Sequence, residues 1–457
     1  MTSISSALQR IKANVANALP ESTRRRLADD LSRTYYDRTL TPVVTTYLFL
    51  QQVLHGNTAI GQLRHLSGLD VTDSAYCQAR QRLPVGFCHR LHQAVLVPCR
   101  RRADREHASR WHGHRVYGLD GSSFSMPDVE ELRQEFGQPG NQAEGCGFPT
   151  APRLVPFDLR DGFLLRAVAA PWRTHDLKQA AVMHQDLRTG DVLLGDRAFG
   201  SYAPLALCVR RGLHGLFRAH PKLIIAFQPR RRHVGPGKVR PEDTGVPRSR
   251  WLKKQGKNDQ VVEYFKPKDK PAWMTVQQDA ALPDAIVVRE LRFAVRVPGR
   301  RTRVITVVTT LLDPNAYPAQ ELARLYQQRW HVEINLRHLK QTLGMDVLRC
   351  RTFPGVMKER LLFVVAYNLV RRVIVEAARR QEVAANRISF VDALRWLRQA
   401  KRGEDVPRLK VNAERPGRYE PRVRKRRPKQ YDLMRKPRAV LRAALLNQAS
   451  AEQEHAA

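Results

Sequence analysis

Four polar residues near the middle of the C-terminal half combine side-chain types that could bind a phosphodiester and a metal ion. They are Tyr326, Arg329, Glu333 and Lys340. If this stretch forms one helix, which turns by about 100° per residue, all four side chains lie within an arc of about 60°. A phenol, two cations and a carboxylate on one stripe make a poor core face. The spacing therefore predicts a helix whose polar face contacts a nucleic-acid backbone and a metal ion.

Two aspartates follow short apolar stretches that are typical of buried strands. Asp120 follows Val116 to Leu119, and we expect Gly121 after it to turn the chain; Asp196 follows Asp191 to Gly195. An aspartate before glycine is by itself most often a turn former. Together with Glu333, however, these two would make three carboxylates at one sheet edge, which repel one another unless divalent cations neutralise them.

Mg²⁺ is the natural cation for such a set, because it prefers hard oxygen ligands and bridges carboxylates and phosphate oxygens. Two Mg²⁺ ions about 3.5–4 Å apart would activate a water or a 3′ hydroxyl on one side and stabilise the leaving oxygen on the other. The three acids therefore predict phosphodiester chemistry.

The overall charge favours a polyanionic partner. The 457 residues carry 79 Lys and Arg against 43 Asp and Glu, a formal net charge of +36. Such an excess is the electrostatic footprint of nucleic-acid binding. A basic protein of the ribosome or membrane surface is usually shorter and less apolar, and an ordinary enzyme with a cationic face seldom reaches this excess. We expect a nucleic acid as the partner.

These motifs resemble the DDE transposases of the insertion-sequence-four group. The resemblance rests on Asp120 in Leu-Asp-Gly-Ser, Asp196 in Gly-Asp-Arg-Ala-Phe, and the Tyr-x2-Arg-x3-Glu-x6-Lys spacing that begins at Tyr326. It covers about residues 60 to 440. The long separation of Asp196 from Glu333 is similar to that of the group, whose members carry a β-rich insertion inside an RNase H-like core.

The resemblance implies a role for each motif residue. Asp120, Asp196 and Glu333 would ligate two Mg²⁺ ions, with Mn²⁺ as a substitute. The DNA backbone beside the cut would be held by Tyr326, Arg329, Lys340 and Arg197. The enzyme would be a homodimer that synapses two element ends, frees 3′ hydroxyls and joins them to target DNA.

One position departs from the pattern of the group. The second acid motif commonly has glycine after its arginine, whereas Ala198 stands between Arg197 and Phe199. Alanine distorts the turn only if a positive φ is required there. A second departure is the extended basic tail, whose role the resemblance does not supply.

The elements that must position these residues predict an α/β fold: an RNase H-like mixed sheet with flanking helices, interrupted by a β-rich insertion, plus helical N-terminal and C-terminal regions. We expect five parts, listed here by residue number: a helical DNA-binding region (1–105), the first part of the catalytic domain (106–220), the insertion with a basic loop (221–313), the catalytic and C-terminal helices (314–401), and a basic tail with a short helix (402–457).

Within the first part, a helix-turn-helix pattern suggests a DNA-reading unit. Gly68 would cap one helix, Thr72 or Asp73 would start the next, and Gln78, Arg80 and Arg82 would lie on that second helix. The same pattern also fits the cap of a plain helical bundle.

Other chemistries find little support. His112 and His114 could bind a metal, but neither an H-E-x-x-H motif nor a second ligand cluster accompanies them. Trp251 and Trp273, in the insertion, could stack on an unpaired base, although buried anchors of a small β core are favoured. The six scattered cysteines include no C-x-x-C pair, so reduced thiols are expected. No phosphate loop is present, and a serine recombinase would leave the three acids unexplained.

The apolar run Leu361 to Val370 is about half of what a bilayer crossing needs. We therefore expect no membrane association and a cytoplasmic, nucleoid-associated protein. An active transposase is the leading hypothesis. Its rivals are an RNase H-like nuclease without strand transfer and a catalytically silent DNA-binding derivative of a transposase.

Overall fold

The structure is a computed structural model. It describes residues 39–105, 110–139, 143, 145–166, 168–169, 178, 181, 184–220, 222–229, 231–235, 241–295, 302–400, 404–413 and 434–456.

The strands of the described residues form one nine-stranded sheet. Its strands are β1 (Val116–Ser125), β2 (Thr150–Asp158), β3 (Val168–Ala169), β4 (Val192–Gly195), β5 (His214–Arg218), β6 (Ser249–Gly256), β7 (Asp259–Phe265), β8 (Ala285–Val295) and β9 (Arg303–Thr309). The spatial order is β3-β2-β1-β4-β5-β9-β8-β7-β6. Strands β1, β4 and β5 are parallel, and β1, β2 and β3 are antiparallel neighbours. The first five strands thus have the order of an RNase H-like sheet, and the predicted fold class is confirmed.

The helices cover this sheet and extend beyond it. They are α1 (Pro42–Leu54), α2 (Leu63–Ser67), α3 (Asp73–Arg82), α4 (Val85–Arg105), α5 (Glu130–Phe136), α6 (Tyr202–Arg210), α7 (Val276–Ala280), α8 (Ala319–Gln327), α9 (Trp330–Arg337), α10 (Phe353–Arg380), α11 (Phe390–Gln399) and α12 (Arg438–Ala456). Among the helices of the described residues, none combines the length and apolarity that crossing a membrane requires.

The inserted strands do not form a sheet of their own. Strand β9 pairs with β5, with Arg218 opposite Val307, and β8, β7 and β6 follow outward. The insertion therefore lengthens the catalytic sheet. Strand β6 was missed in the sequence because its basic residues, such as Lys253 and Lys254, resemble a loop; it is an edge strand, whose outward side chains face solvent.

The N-terminal helices share a core with the rest of the protein. Helix α10 is mostly buried, and its apolar residues join those of α1 and α4 in one cluster. The predicted helix starts and ends are confirmed here: Gly68 ends α2 with a φ of 67°, and the Thr72 side chain accepts a hydrogen bond from the Ala75 N–H at 3.2 Å. The first helices therefore pack as part of the body that holds the catalytic helix.

Several predicted elements lie wholly or partly outside the described residues. The sequence predicts a helix from about Asp176 to Leu187, most of which lies outside the described residues. So do seven of the ten basic residues of the predicted tail, from Arg418 to Lys429. The short helix predicted behind the tail is longer than expected, because α12 spans Arg438–Ala456. Arg438 contacts Asp128 at 3.3 Å and lies 3.7 Å above the Phe148 ring.

Candidate active site

Two aspartates lie side by side just beyond the point where the parallel pairing of β1 and β4 ends. The last paired residues of β1 and β4 are Gly118 and Leu194. Two residues further along both chains, the same register brings Asp120 opposite Asp196. Neighbouring strands are about 4.7–4.9 Å apart, so their backbones hold the two carboxylates close together.

Strand alternation places both carboxylates on one face of the sheet. A side chain at Gly118 would collide with Val332 of α9, so this face of β1 lies under α9. Asp120 is two residues beyond Gly118 and shares its face; Asp196 shares the face of Leu194, which packs in the same core cluster as Val332. Both aspartates therefore point toward the helix that carries Glu333.

The expected turn at Gly121 is wrong. Strand β1 continues to Ser125, with Gly121 opposite Leu154 of β2, so Asp120 lies within the strand and does not close it. The parallel pairing stops near Asp120 while the antiparallel pairing with β2 goes on. Asp120 is therefore paired with β2 on one side and lies beyond the paired residues of β4 on the other.

A tight turn after β4 fixes the second aspartate. An Asp196 carboxylate oxygen accepts a hydrogen bond from the Ala198 N–H at 2.9 Å, and the Asp196 carbonyl accepts one from the Phe199 N–H at 3.2 Å. Ala198 is not among the residues with positive φ, so alanine costs this turn no strain. Arg197 is exposed at its tip.

The polar stripe lies on three consecutive helical segments, and the prediction of one continuous helix is wrong. Helix α8 ends at Gln327, α9 begins at Trp330, and a π-helical turn covers His338–Thr342. At the first break the Arg329 N–H donates to Tyr326 O and the Val332 N–H donates to Arg329 O, three residues back. This stretch is wound more tightly than an α-helix, and the π turn that contains Lys340 is wound more loosely. The four side chains of the stripe are therefore not separated by the angles of a uniform helix.

Glu333 is held by an arginine one turn before it. Arg329 Nη2 donates to Glu333 Oε1 at 2.6 Å, and the two side chains are 20 % and 35 % exposed. Tyr326 is buried, and its ring meets Phe293 of β8 edge-on. Burial raises the pKa of the Tyr326 phenol, which Arg329 opposes. The tyrosine is thus mainly a core residue that helps to orient Arg329.

The charges of the other two acids both affect the pKa of Asp120. Burial raises its pKa to about 6; Arg329 acts to lower it, and Glu333 and Asp196 raise it further. Burial acts to lower the pKa of the Arg329 guanidinium, but Tyr326, Glu333 and Asp120 outweigh it and raise that pKa. The Arg329 guanidinium therefore offsets the charges of Glu333 and Asp120, and Asp196 adds a third carboxylate to the site, which favours a bound cation.

The donor set suits a hard divalent cation, but the carboxylates are not yet gathered. Within the described ranges, no three side chains of His, Cys, Asp or Glu are close enough to form a metal cluster. The Glu333 carboxylate is turned to Arg329. All-oxygen ligands from two strands and a facing helix fit Mg²⁺ in chemistry, and binding it would require Glu333 to turn toward the aspartates.

Sequence reasoning missed an aromatic residue beside this site. Trp330 is 53 % exposed on α9, one turn before Glu333. An indole so exposed is unusual, since large aromatic side chains are mostly buried. The sequence signal for Trp330 is its position within the Tyr326–Lys340 stretch. The stripe considered in the sequence contains polar residues alone and therefore leaves Trp330 out.

The three residues of α3 that were predicted to read DNA lie in different environments. Arg80 is turned inward: its guanidinium stacks 3.8 Å from the Phe49 ring centre and donates to Gln52 and Cys350. The prediction that Arg80 reads DNA is therefore corrected, because these contacts occupy it within the protein. Gln78 and Arg82 lie on the exposed side of α3.

The other weak candidates have partners within the protein. His112 contacts Glu321 at 2.5 Å, and His114 bonds the Tyr317 hydroxyl at 2.8 Å, at the end of the sheet away from Asp120. Trp251 and Trp273 pack against a second apolar cluster, which contains Leu193, Phe217 and Val288.

The sequence matches known proteins over much of its length. Residues 111–369 match the family model described as the transposase DDE domain. Two Escherichia coli proteins and one Geobacillus stearothermophilus protein are similar to parts of this chain. Transposase InsG for insertion sequence element IS4, from Escherichia coli (strain K12), is 22 % identical over 311 residues, which are 67 % of this chain and 62 % of InsG. The chain thus spans less than two thirds of that relative.

Two shorter matches have higher identity. The putative transposase InsZ of Escherichia coli (strain K12) is 31 % identical over 28 % of this chain and 42 % of its own. The probable transposase for insertion sequence element IS5377 of Geobacillus stearothermophilus is 35 % identical over 20 % of this chain and 23 % of its own. A cryo-EM structure of the piggyBac transposase synaptic complex with hairpin DNA is 10 % identical, with a TM-score of 0.40 over 86 % of this chain and 79 % of that one.

Proposed function

Because this chain belongs to the family of the transposase DDE domain, we propose that it is the DNA transposase of an insertion sequence. It cleaves phosphodiesters at the element ends and joins the freed 3′ hydroxyls to target DNA. The observation that carries the proposal is the convergence of three carboxylates: Asp120 and Asp196 lie abreast under α9, and Glu333 and Asp196 both act on the Asp120 carboxyl.

Divalent metal dependence is general to this family, and we propose two Mg²⁺ ions held by Asp120, Asp196 and Glu333, with Mn²⁺ as a substitute. When bound, such ions activate the attacking oxygen and stabilise the leaving one. The protein's own part is to hold the ligands: the turn hydrogen bond from Ala198 fixes Asp196, and Arg329 keeps the Glu333 carboxylate oriented until the cations arrive.

The side chains around the acids would position the DNA. Arg329, Lys340 and the exposed Arg197 supply cations for backbone phosphates, which are the commonest protein contacts to DNA. Tyr326 orients Arg329 from below. Trp330, exposed one turn before Glu333, has an open ring face on which a base beside the cut would stack.

Double-stranded DNA at both the element end and the target is the substrate, and a homodimer would bring two ends together. Gln78 and Arg82, exposed on α3, are proposed to contact the end away from the cut. The excess of cationic residues would add sequence-independent affinity. The place of action would be the bacterial nucleoid in the cytoplasm.

The test is cleavage and strand transfer by the purified protein on DNA from the flanks of its own gene, with Glu333→Gln beside it. We expect Mg²⁺-dependent cutting and joining that vanish in the variant while DNA binding remains, because the substitution removes a ligand and little positive charge. Cutting without joining would indicate the nuclease. Tight binding without cutting by either protein would indicate the silent derivative.

A further inference from the structure

One arginine of α10 is buried without an acceptor for its hydrogen bonds. Arg360 is only 4 % exposed. Its Nε and Nη1 atoms have no hydrogen-bond partner, and no hydrogen bond or ion pair from the described residues reaches the rest of its guanidinium. Buried polar groups are nearly always paired, and a buried charge without a partner destabilises the folded state. A guanidinium in this position therefore needs a counter-anion.

A second buried arginine of the same helix shows the contrast. Arg371, also 4 % exposed, donates from Nε to the Asp161 carbonyl at 2.8 Å, and its Nη2 donates to the same oxygen. Burial lowers the pKa of Arg371, but Tyr367 and Asp161 act to raise it. Burial lowers the pKa of Arg360 to about 10, and the charge of Arg166 contributes to that decrease. The protein thus supplies an acceptor to Arg371 and only further positive charge to Arg360.

The groups around Arg360 form a cationic cluster that reaches the surface. Burial lowers the pKa of His89 on α4, and the charges of Arg360 and Arg166 lower it further. His89 is exposed, and the Arg166 side chain is 42 % exposed. The acid beside them, Asp186, contacts Arg166 at 3.2 Å and, among the described residues, makes no ion pair with Arg360. An anion from solvent can therefore approach the buried guanidinium past its two exposed neighbours.

This cluster lies on the β2 side of the three carboxylates. Leu165, directly before Arg166, donates from its N–H to the Pro156 carbonyl of β2 at 3.1 Å. Pro156 in turn pairs with Leu119 of β1, the residue before Asp120. The backbone at Arg166 is therefore about two strand spacings, or about 10 Å, from that of Asp120.

We propose that Arg360, Arg166 and His89 form a binding site for one phosphate group. A tetrahedral phosphate accepts hydrogen bonds in several directions at once, and the planar fork of an arginine donates two of them in parallel. Its binding neutralises the buried charge between α4 and α10 and so stabilises the folded protein. The phosphate group comes either from free inorganic phosphate or from the backbone of bound DNA. The site itself does not depend on the cleavage chemistry.

The experiment is thermal unfolding of the full-length protein without divalent metal, in inorganic phosphate and in sodium chloride of equal ionic strength. In saturating phosphate, we expect the melting temperature of the wild type to rise by about 2–5 °C, because a ligand of the folded state stabilises it. Arg360→Met keeps the length of the side chain without its charge. In chloride this variant should melt at or above the wild-type temperature, since the unpaired buried charge is gone, and its phosphate-specific rise should vanish.

Arg371→Met is the matched control, because it removes a buried arginine of the same helix that has a partner. It should melt at a lower temperature in both salts and keep the phosphate-specific rise. Arg166→Gln changes a side chain nearer the surface and serves if Arg360→Met folds poorly. It should melt like the wild type in chloride and lose most of the rise in phosphate.

The affinity for end DNA, measured in chloride, identifies the source of the phosphate group. If DNA supplies it, Arg360→Met should weaken binding by about tenfold or more, and free phosphate should no longer stabilise the wild type once DNA is bound. If free phosphate fills the site, the variant should bind DNA like the wild type, and the phosphate-specific rise should persist with DNA bound.

Two results would overturn the site. One is a phosphate-specific rise of equal size in the wild type, Arg360→Met and Arg166→Gln, which would place the bound phosphate elsewhere. The other is a wild-type protein that melts at the same temperature in phosphate and in chloride. Absence of DNA cleavage would bear on the proposed function alone.

Discussion

Carboxylates and arginines meet in two regions of this protein, with opposite balances. In the inserted strands, Glu290 is buried and receives hydrogen bonds from Arg231, Gln260 and Tyr264, the last two at 2.7 and 2.8 Å. At the sheet edge, the Arg329 guanidinium binds Glu333 and acts on Asp120, and Asp196 adds a third carboxylate.

A second buried pair strengthens the contrast. Arg289 binds both carboxylate oxygens of Asp259, at 2.8 and 2.5 Å, between β7 and β8. The insertion thus matches each buried charge inside the protein, whereas the edge leaves the Asp120 pKa raised to about 6. The difference distinguishes carboxylates with a structural role from those with a catalytic role. The structural carboxylates have their hydrogen-bond and charge partners within the protein, whereas the catalytic ones need a bound cation.

The largest effect should follow removal of an edge carboxylate. Asp120→Asn and Asp196→Asn should each slow DNA cleavage by more than about a hundredfold, since even residues behind a metal ligand commonly contribute ten- to a hundredfold. The melting temperature should stay the same or rise, because a repelling charge is gone. Cleavage assays and thermal melts check this together; near-normal cleavage by either variant would remove that residue from the site.

Breaking a buried ion pair should have the opposite effect, a loss of stability. Glu290→Gln leaves the Arg231 guanidinium buried and without its counter-charge, which should cost about 3–5 kcal/mol of unfolding free energy. Arg379→Ala, which removes an exposed partner of Glu376, is the control and should cost less than about 1 kcal/mol. Denaturant unfolding would measure both. Equal losses in the two variants would contradict the contrast between the regions.

A smaller effect should appear in the pH dependence of stability without metal. The pKa of Asp120 is raised in the folded protein, to about 6 from an ordinary value of 3.8. The protonated carboxyl is therefore favoured by folding: its stabilisation is complete below the ordinary pKa and is lost as pH rises through about 6. Asp120→Asn should match the wild type near pH 4 and be the more stable protein above pH 6. Thermal melts across this range in EDTA test it, and a constant difference would contradict the shift.

The sequence predicted the strands around the acids because apolar runs such as Leu193 to Gly195 end abruptly at charged residues. It could not predict that β9 pairs with β5, since register between strands distant in sequence depends on tertiary pairing. The break at Arg329 was missed for a related reason. Every residue there has acceptable helix propensity, so the sequence carries no signal for the overwound turn.

The inserted strands illustrate the same limit. The sequence predicts strands over Val261 to Lys266, Ala285 to Val297 and Thr302 to Leu311, close to β7, β8 and β9. Strand β6, by contrast, carries the exposed Lys253 and Lys254 and resembles a loop in sequence. Its pairing with β7 supplies what its composition lacks. Likewise, Arg80 looked like a DNA contact from sequence, because only the fold places Phe49 and Cys350 beside its guanidinium.

The most direct test of the central claim is to locate the cations. Crystals of the protein with end DNA and Mn²⁺ would show the ions by their anomalous scattering. We expect two peaks about 3.5–4 Å apart, held by Asp120, Asp196 and Glu333, with Glu333 turned away from its apo contact with Arg329. Peaks elsewhere, or carboxylates that remain ungathered around bound DNA, would contradict the assignment of these three residues as the metal ligands.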